Sequence, residues 1–374
     1  MPIVQNLIVE EFGAFVSKHS ERLIVSKGDE KLIQAPLLHL ETVLIASNGV
    51  AISSDAVREC AERGIPIHFV SGSGNAYASM YSSGLTGTVL TRRAQLQAFD
   101  TVRGLLLAIA FAQGKLSNQA NFLKYMSKYR KESAPEIFEI LRAAAEKILE
   151  TVSDLEKMKT LPEVLSGERA TIDDWRFELL GMEGRAAQTY WDALKCALLA
   201  NHHPERESRQ EGDDLRQSEY GWQGREGRGA RDPINSALNY GYGILYSQIE
   251  RALVLAGLDP YAGFAHVDRP GKPSLKFDAI EEFRAPIVDR MVFGLANKGV
   301  KFEQDERGYL TEGTRKLLAE KFFERMESTE SYSAGNTGAK KSFPLRLIVQ
   351  MQARHIATYL RGERDEYVPF VMGW

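Results

Sequence analysis

The sequence predicts an α+β protein in which a small β-rich N-terminal domain precedes a larger, all-helical domain. Two observations predict this division. Over about the first ninety residues, short apolar runs alternate with turn residues, a pattern typical of strands. From about Arg92 onward, apolar residues such as Leu96 and Phe99 recur with a period near 3.6, which is typical of amphipathic helices. We therefore divide the chain into residues 1–91 and 92–374.

The N-terminal domain is predicted to consist of short strands with one helix between them. Turn residues such as Gly13 separate the strands. The predicted strands lie at residues 3–9, 14–16, 22–25, 42–45 and 65–70. Ser53 or Ser54 marks the helix start, because its hydroxyl can accept a hydrogen bond from a free amide, and Gly64 suits the helix end.

Two features organise the helical domain. Asp232 and Pro233 predict a helix start, because aspartate caps free amides and proline lacks only the N–H that a first turn does not use. That helix should run towards Gly257. Residues 201–229 have no apolar periodicity and contain many Arg, Glu and Gly residues, which predicts an exposed and mobile loop.

Composition limits the class of protein. Hydrophobic residues make up 44% and charged residues 26%, as in ordinary globular proteins. The chain lacks a run of roughly 18 apolar residues and a signal pattern at its start, so we expect a cytoplasmic protein without a membrane partner. The net charge of -3 predicts that any nucleic-acid binding is confined to a local basic groove. Cys60 and Cys196 do not form a CxxC pair, which argues against a disulfide framework or a thiolate zinc site.

The densest group of potential metal ligands lies between His266 and Arg284. If Asp278 and Glu281 are helical, their three-residue spacing places both carboxylates on one face, where they could bind a cation. The alternative is a solvated helix start, at which the helix dipole favours acids. A lone histidine such as His266 is more often a hydrogen-bonded structural residue or a surface residue than a metal ligand.

Glu183 stands beside two glycines, Gly181 and Gly184. Each glycine destabilises a helix by about 1 kcal/mol relative to alanine, so the pair suggests that something approaches the backbone closely. Either DNA or a neighbouring helix would account for it.

Three arginines, Arg225, Arg228 and Arg231, recur every three residues ahead of the helix start at Asp232. Their guanidinium groups could bind phosphates. The alternative is a solvated loop, because the segment as a whole carries about as many acids as bases.

Taken together, these segments resemble the Cas1 family, the large catalytic subunit of CRISPR spacer acquisition. The similar segments are residues 180–187 with 190–191, 231–242, 257–266, 274–284, and 350–354 ahead of 367–370. The strand-rich start, with residues 50–53 and 63–67, is similar to the family's N-terminal β domain. The resemblance therefore spans nearly the whole chain.

The resemblance implies that Glu183, His266 and Glu281 bind a metal ion and that Asp278 is the supporting acid, all four being catalytic. Two carboxylates and one imidazole suit Mn²⁺ or Mg²⁺, whereas zinc favours more His or Cys ligands. Such an ion can polarise a phosphoryl group and stabilise the leaving oxygen. Arg185, two residues after the proposed ligand Glu183 in the sequence, is the strongest candidate for a DNA contact.

The same resemblance implies a DNA endonuclease and integrase that joins the 3′ ends of a short duplex into a repeat array by transesterification. Hydrolysis of branched DNA is its counterpart reaction. The implied partners are DNA, a second copy joined through the β-rich domain, a small ferredoxin-like CRISPR adaptation subunit and a nuclease that trims spacer precursors. Two alternatives remain: a branched-DNA repair nuclease with the same ligands, and a non-catalytic DNA-binding scaffold without metal dependence.

Overall fold

The structure, a computed structural model, describes residues 6–71, 76–80, 89–199, 222–227, 229–333 and 340–373. A β-rich part comes first and a largely helical part follows, so the predicted α+β fold class is confirmed. The helical part begins with a helix at Val89, close to the predicted boundary at residue 92.

The β-rich part forms two four-stranded sheets and one helix within the described residues. Its elements are β1 (Asn6–Val9), β2 (Phe15–His19), β3 (Arg22–Lys27), β4 (Glu30–Pro36), β5 (Thr42–Ile45), β6 (Ala51–Ile52), α1 (Ser54–Glu62), β7 (Ile67–Val70) and β8 (Ala76–Met80). The first sheet has the order β1-β5-β7-β8, with β1, β5 and β7 parallel and β8 antiparallel. The second has the order β4-β3-β2-β6, in which only β2 and β6 pair in parallel.

The first sheet lies between two hydrophobic cores. Val43 and Ile45 of β5 face a core shared with the second sheet and α1, whereas Leu44 belongs to the core of the helical part. All four side chains of β5 are buried for this reason. A strand buried on both faces reads as a continuous apolar run, which is why the sequence predicts β5 with its observed bounds.

The predicted helix of the β-rich part is also confirmed. Ser53 is its N-cap, and the Ser53 hydroxyl accepts a hydrogen bond from the Ala56 amide at 3.2 Å. Gly64 follows the helix end with a φ of +67°, a left-handed conformation that glycine adopts without the steric cost of a side chain.

The helical part is built around several long helices, of which α3 contains 26 residues. Its described elements are α2 (Val89–Ala98), α3 (Val102–Ser127), α4 (Pro135–Met158), α5 (Pro162–Leu165), α6 (Ile172–Leu199), α7 (Pro233–Leu255), α8 (Ser274–Phe283), a π-helical turn (Arg284–Asp289), α9 (Arg290–Asn297), α10 (Glu312–Glu327), β9 (Thr329–Ser333), β10 (Lys340–Pro344) and α11 (Leu345–Leu360). Helix α3 packs against α4, α6 and α8. None of the helices in these described stretches is long and apolar enough to cross a lipid bilayer.

The predicted start of α7 is confirmed in detail. The Asp232 carboxylate accepts a hydrogen bond from the Asn235 amide at 2.8 Å, Pro233 occupies the first turn, and Gly257 follows the helix with a φ of +81°. Local capping chemistry was therefore sufficient to locate both ends of this helix.

The prediction of an all-helical second domain needs one correction. Strands β9 and β10 form an antiparallel hairpin between α10 and α11. Tyr332 of this hairpin is buried and packs edge-on against Phe343, with 6.4 Å between the ring centroids. Both strands are short and mostly polar, so they lack the alternating apolar pattern by which strands are recognised.

The C-terminal segment is held across α3 and α8 by two fully buried polar side chains, Asn118 and Glu282. Asn118 donates a hydrogen bond to the Phe370 carbonyl at 2.7 Å and accepts one from the Met372 amide at 2.8 Å. The Glu282 carboxylate accepts hydrogen bonds from the Phe370 amide, at 2.8 Å, and from the Tyr367 hydroxyl. Residues 367–372 thus tie together two helices that carry side chains of the candidate site.

Candidate metal centre

Three helices bring one cation and two carboxylates together. Lys115 projects from α3, Glu183 from α6 and Glu281 from α8. The Lys115 ammonium donates a hydrogen bond to Glu183 Oε1, and its Nζ lies 2.9 Å from Glu281 Oε2. All three side chains are largely buried. Lys115 therefore lies between the two carboxylates that the sequence assigns to a metal.

The close approach of α8 to α3 depends on Gly114, the residue before Lys115. A Cβ atom at position 114 would lie 2.7 Å from the Pro369 side chain and 2.9 Å from Glu282 Cγ, closer than side-chain atoms come. Glycine is required at this position because α8 and the C-terminal segment occupy that space. The same close approach brings Glu281 to Lys115.

Glu281 contacts a second cation through its other oxygen. Arg284 Nε lies 3.2 Å from Glu281 Oε1, and the Arg284 guanidinium donates a hydrogen bond to the Tyr246 hydroxyl at 2.6 Å. Burial by itself would raise the pKa of Glu281, but the charges of Arg284 and Lys115 hold that pKa well below its usual range. Glu281 is therefore an anion although it is buried.

His266 is held by Asp278. The His266 Nδ1 and Asp278 Oδ1 atoms are 2.6 Å apart, and the backbone amides of Phe264, Ala265 and His266 all donate hydrogen bonds to the same carboxylate. Burial alone would lower the pKa of His266, but Asp278, together with the charges of Glu281 and Glu183, raises it. Because Asp278 engages Nδ1, the nitrogen left for a ligand is Nε2.

The Asp278 and Glu281 side chains are only 1% and 6% exposed, so the alternative of a solvated helix start is wrong. The described residues contain no group of three His, Cys, Asp or Glu side chains that converges closely enough to hold a metal as it stands. The assignment of Glu183, His266 and Glu281 as ligands therefore stays a prediction. The residues nevertheless fit a divalent ion, since two carboxylates already share one cation and a carboxylate orients the histidine as in many metal sites.

A basic cleft of about 830 Å³ opens beside His266. The described residues that line it include no Asp or Glu and five basic side chains: Arg225, Arg231, Lys272, Lys276 and Arg284. Aromatic rings, among them Tyr242 and Tyr246, line it as well. The chain as a whole has a net charge of -3, and these side chains give the cleft a basic lining, in which Lys276 pairs with Glu250 and Arg284 with Glu281.

Arg225 is anchored in this cleft. Its guanidinium donates hydrogen bonds to the Asn235 side chain at 3.1 Å and to the Asn239 side chain at 2.8 Å, and it lies over the Tyr242 ring. The prediction that residues 201–229 form an exposed loop is wrong for its described end, because Trp222 is 1% exposed and packs against Phe293. A tryptophan among many polar residues gives no periodic signal, so its burial was not predicted. Residues 201–221 and Arg228 lie outside the described residues.

The remaining predicted DNA contacts, Arg185 and Arg231, are exposed. Arg185 lies on α6 two residues after Glu183, and Arg231 precedes α7 at the rim of the cleft. Helix packing does not account for the glycines beside Glu183. Among the described atoms, a Cβ at Gly184 would meet nothing within 4 Å, and one at Gly181 would meet only the Arg185 side chain. Within the part of the chain that the structure describes, nothing packs against these two positions of α6 from outside the helix.

Sequence reasoning missed Lys115, Lys272, Lys276 and Arg284. The last three lie within or next to segments that carry the family resemblance. In those segments the resemblance implied metal-site roles only for the acids and the histidine. Lys115 had one signal: it is the first basic residue after Arg103 in α3, a helix whose residues in between are almost entirely apolar. A buried lysine requires a partner, so such a position indicates a buried anion nearby.

Comparison with known proteins identifies the family. The family model described as "CRISPR associated protein Cas1" matches residues 7–324. A CRISPR-associated endonuclease Cas1 from Archaeoglobus fulgidus is 34% identical over 379 residues, which cover 98% of this chain and 99% of the relative.

Two solved structures share the fold. A casposase bound to an integration product has a TM-score of 0.69 at 21% identity, with 98% of this chain and 93% of that chain covered. A Cas6-RT-Cas1–Cas2 complex has a TM-score of 0.67 at 20% identity, with 99% of this chain and 37% of that chain covered. Because the family model covers most of the chain and the archaeal relative matches it almost end to end, the chain belongs to the Cas1 family of CRISPR-associated proteins, as its motifs predicted.

Proposed function

We propose that this protein is a divalent-metal-dependent DNA endonuclease and integrase of CRISPR spacer acquisition, acting in the cytoplasm. The observation that carries the proposal is the pair Glu183 and Glu281, gathered around one cation beside a histidine oriented by Asp278, at the edge of a basic cleft. The archaeal relative is named an endonuclease, and the casposase of the same fold is bound to an integration product.

In this proposal Glu183, Glu281 and His266 Nε2 hold Mn²⁺ or Mg²⁺. When bound, such an ion supplies polarisation of the phosphoryl group and stabilisation of the leaving oxygen. Oxygen ligands and a single imidazole match the preference of these ions. The chain itself positions the ligands, because Arg284 holds Glu281 by an ion pair and Asp278 holds His266 by a hydrogen bond.

The remaining residues hold DNA. Arg225, Arg231 and Lys272 of the cleft bind backbone phosphates, and the face of α6 beside Gly184 gives a strand access to Glu183. In integration, the oxygen of a DNA 3′ hydroxyl attacks a phosphorus atom of the target strand. One P–O bond forms, the bond to the target 3′ oxygen breaks, and the hydroxyl proton ends on that leaving oxygen or in solvent. No covalent bond to the protein is needed.

The partners follow from the same proposal. A homodimer joined through the β-rich domain covers strand edges that would otherwise stay open. The small ferredoxin-like adaptation subunit lies between two such dimers, and a separate nuclease trims the spacer precursors. The shared fold with the Cas1 part of a Cas6-RT-Cas1–Cas2 complex supports a partner of this kind.

An integration assay tests the proposal. The protein and its small partner subunit are incubated with a short duplex and a plasmid that carries the repeat array. We expect joined products in Mn²⁺, none in EDTA and none from a duplex with 3′-dideoxy ends. Products that persist in EDTA would refute metal dependence. Cleavage of branched DNA without any joining would instead identify the repair nuclease, and no metal-dependent reaction on either substrate would identify the scaffold.

The proposed phosphate contacts predict a change in salt dependence. We expect Arg185→Ala to lower the magnitude of the slope of log affinity against log salt by about one unit, and the double variant Arg231→Ala and Lys272→Ala to lower it by about two. Each phosphate contact releases about one counterion when DNA binds, so a variant that lacks a contact releases about one counterion fewer. The effect should be alike for unrelated DNA sequences, because phosphates carry no base identity. Fluorescence anisotropy with branched DNA measures it.

Lys147→Ala is the matched control, because Lys147 is an exposed residue of α4 that does not line the cleft. An unchanged slope in both test variants would show that DNA does not follow this cleft. An equal change in the Lys147 variant would show that binding depends on the overall charge of the protein.

A further inference from the structure

We propose that Lys115 is the internal counter-ion of the metal-free site and that divalent metal binding displaces its ammonium group from Glu183 and Glu281. The inference rests on the proposed function, because it takes these two carboxylates as ligands. It assigns Lys115 as a positioning residue that holds the two carboxylates together and weakens metal binding by competition.

The position of Lys115 is the first step. Its ammonium contacts one carboxylate from α6 and one from α8, and these are the two acids that the site offers to a metal. Burying an ammonium away from water costs several kcal/mol unless anions compensate it. Two buried carboxylates facing each other would likewise repel. The lysine therefore stabilises the two acids, and they stabilise the lysine.

The distances are the second step. Lys115 Nζ is 2.9 Å from Glu281 Oε2, an ordinary ion-pair distance. A Mg²⁺ ion bound by the same oxygen would lie about 2.0–2.1 Å from it. Glu183 and Glu281 would hold such an ion with the same oxygens that now contact the ammonium, so the two cations would compete for these oxygens. The two cations also repel each other, and the flexible four-carbon stem of lysine allows its charge to move aside.

The charge balance is the third step. Three carboxylates, Glu183, Asp278 and Glu281, face two basic side chains, Lys115 and Arg284. His266 binds a metal only as a neutral imidazole, so the cluster that accepts the metal carries one negative charge. Adding a divalent ion while the ammonium stays would make the cluster positive by one. Adding it while the ammonium leaves makes the cluster neutral. In this buried position, replacement of the Lys115 ammonium by the metal ion is therefore favoured over binding of the metal ion beside it.

Mn²⁺ titration of the metal-stripped, full-length protein tests the exchange. We expect Lys115→Met to bind Mn²⁺ at least about tenfold more tightly than the wild type by isothermal titration calorimetry, because no internal cation competes. The melting temperature of the metal-free variant should fall, because the carboxylates then repel each other. Its rise on Mn²⁺ saturation should exceed that of the wild type.

Lys124→Met is the matched control. Lys124 lies on the same helix and is paired with Glu146 at 3.2 Å, away from the two ligand carboxylates. Its loss should leave the Mn²⁺ affinity unchanged. Lys115→Arg, which keeps the charge, should show no gain in affinity. If Lys115→Met does not fold, Lys115→Gln takes its place in the same comparison, with the same expected gain.

The outcomes separate the two proposals. If the wild type binds no Mn²⁺ and Glu183→Gln changes nothing, the metal site itself is wrong and the proposed function fails. If the wild type binds Mn²⁺ and Glu183→Gln weakens that binding, but the Lys115 variant binds no more tightly than the wild type, the metal site stands and the displacement of Lys115 is overturned.

Discussion

Glu183→Gln and His266→Ala are each expected to lower Mn²⁺-dependent DNA cleavage and integration by at least about 10³-fold, because a bound metal contributes several kcal/mol to the transition state. The double variant should be little worse than either single one, since the residues act on one ion as a unit. Strand-nicking and joining assays at saturating DNA measure the loss, and circular dichroism checks the fold.

Glu178→Gln is the control for these variants. Glu178 lies on the same helix as Glu183, but its partner is Arg169 at 3.5 Å, and it takes no part in the site. Its activity should equal that of the wild type. Near wild-type turnover in either ligand variant would show that the metal is held elsewhere.

Asp278→Asn is expected to weaken Mn²⁺ binding by about 10- to 100-fold, the usual effect of losing the carboxylate that orients a metal-bound histidine. Asparagine also replaces one acceptor oxygen with an NH₂ group, which would face backbone amides that already donate to the carboxylate. The loop that carries His266 should therefore loosen. Calorimetric Mn²⁺ titration measures the affinity.

Asp268→Asn provides the control for that variant, because Asp268 is an exposed acid of the same loop, two residues after His266. Its Mn²⁺ affinity should be unchanged. If Asp278→Asn bound Mn²⁺ as tightly as the wild type, Asp278 would serve only to fold the loop, and His266 would not be a ligand.

The fold was predictable where local chemistry decides it. The apolar run of β5 and the capping residues Ser53 and Asp232 each predicted an element that the structure confirms. Strands β4, β6 and β8 were not predicted. β4, for example, is an edge strand with mostly exposed side chains, so its sequence lacks the alternation that burial of one face imposes.

The candidate site was predictable only in part. Resemblance to a family pointed to Glu183, His266, Asp278 and Glu281. In the structure, Glu183 and Glu281 both contact Lys115, and His266 is hydrogen-bonded to Asp278. Lys115 escaped notice because its importance comes from the packing of α3 against α6 and α8. Helix periodicity shows which face of a helix is buried, but it does not show which distant residue meets that face.

The C-terminal segment determines when the hydrogen bonds of Asn118 and Glu282 are completed during translation. Residues 367–372 are synthesised after every ligand candidate. Asn118 Oδ1 and Glu282 Oε1 receive their hydrogen bonds from this segment, whereas the Asn118 amide group also donates to the Glu282 carbonyl and Gln352 donates to Glu282 Oε2. During translation, α8, which carries Glu281, therefore forms its hydrogen bonds with residues 367–370 late. A chain that ends before residue 367 lacks the Tyr367 hydroxyl and the Met372 amide, which are the hydrogen-bond donors to Glu282 Oε1 and Asn118 Oδ1. Synthesis of residues 367–372 thus completes the hydrogen bonding behind α8, the helix that carries Glu281.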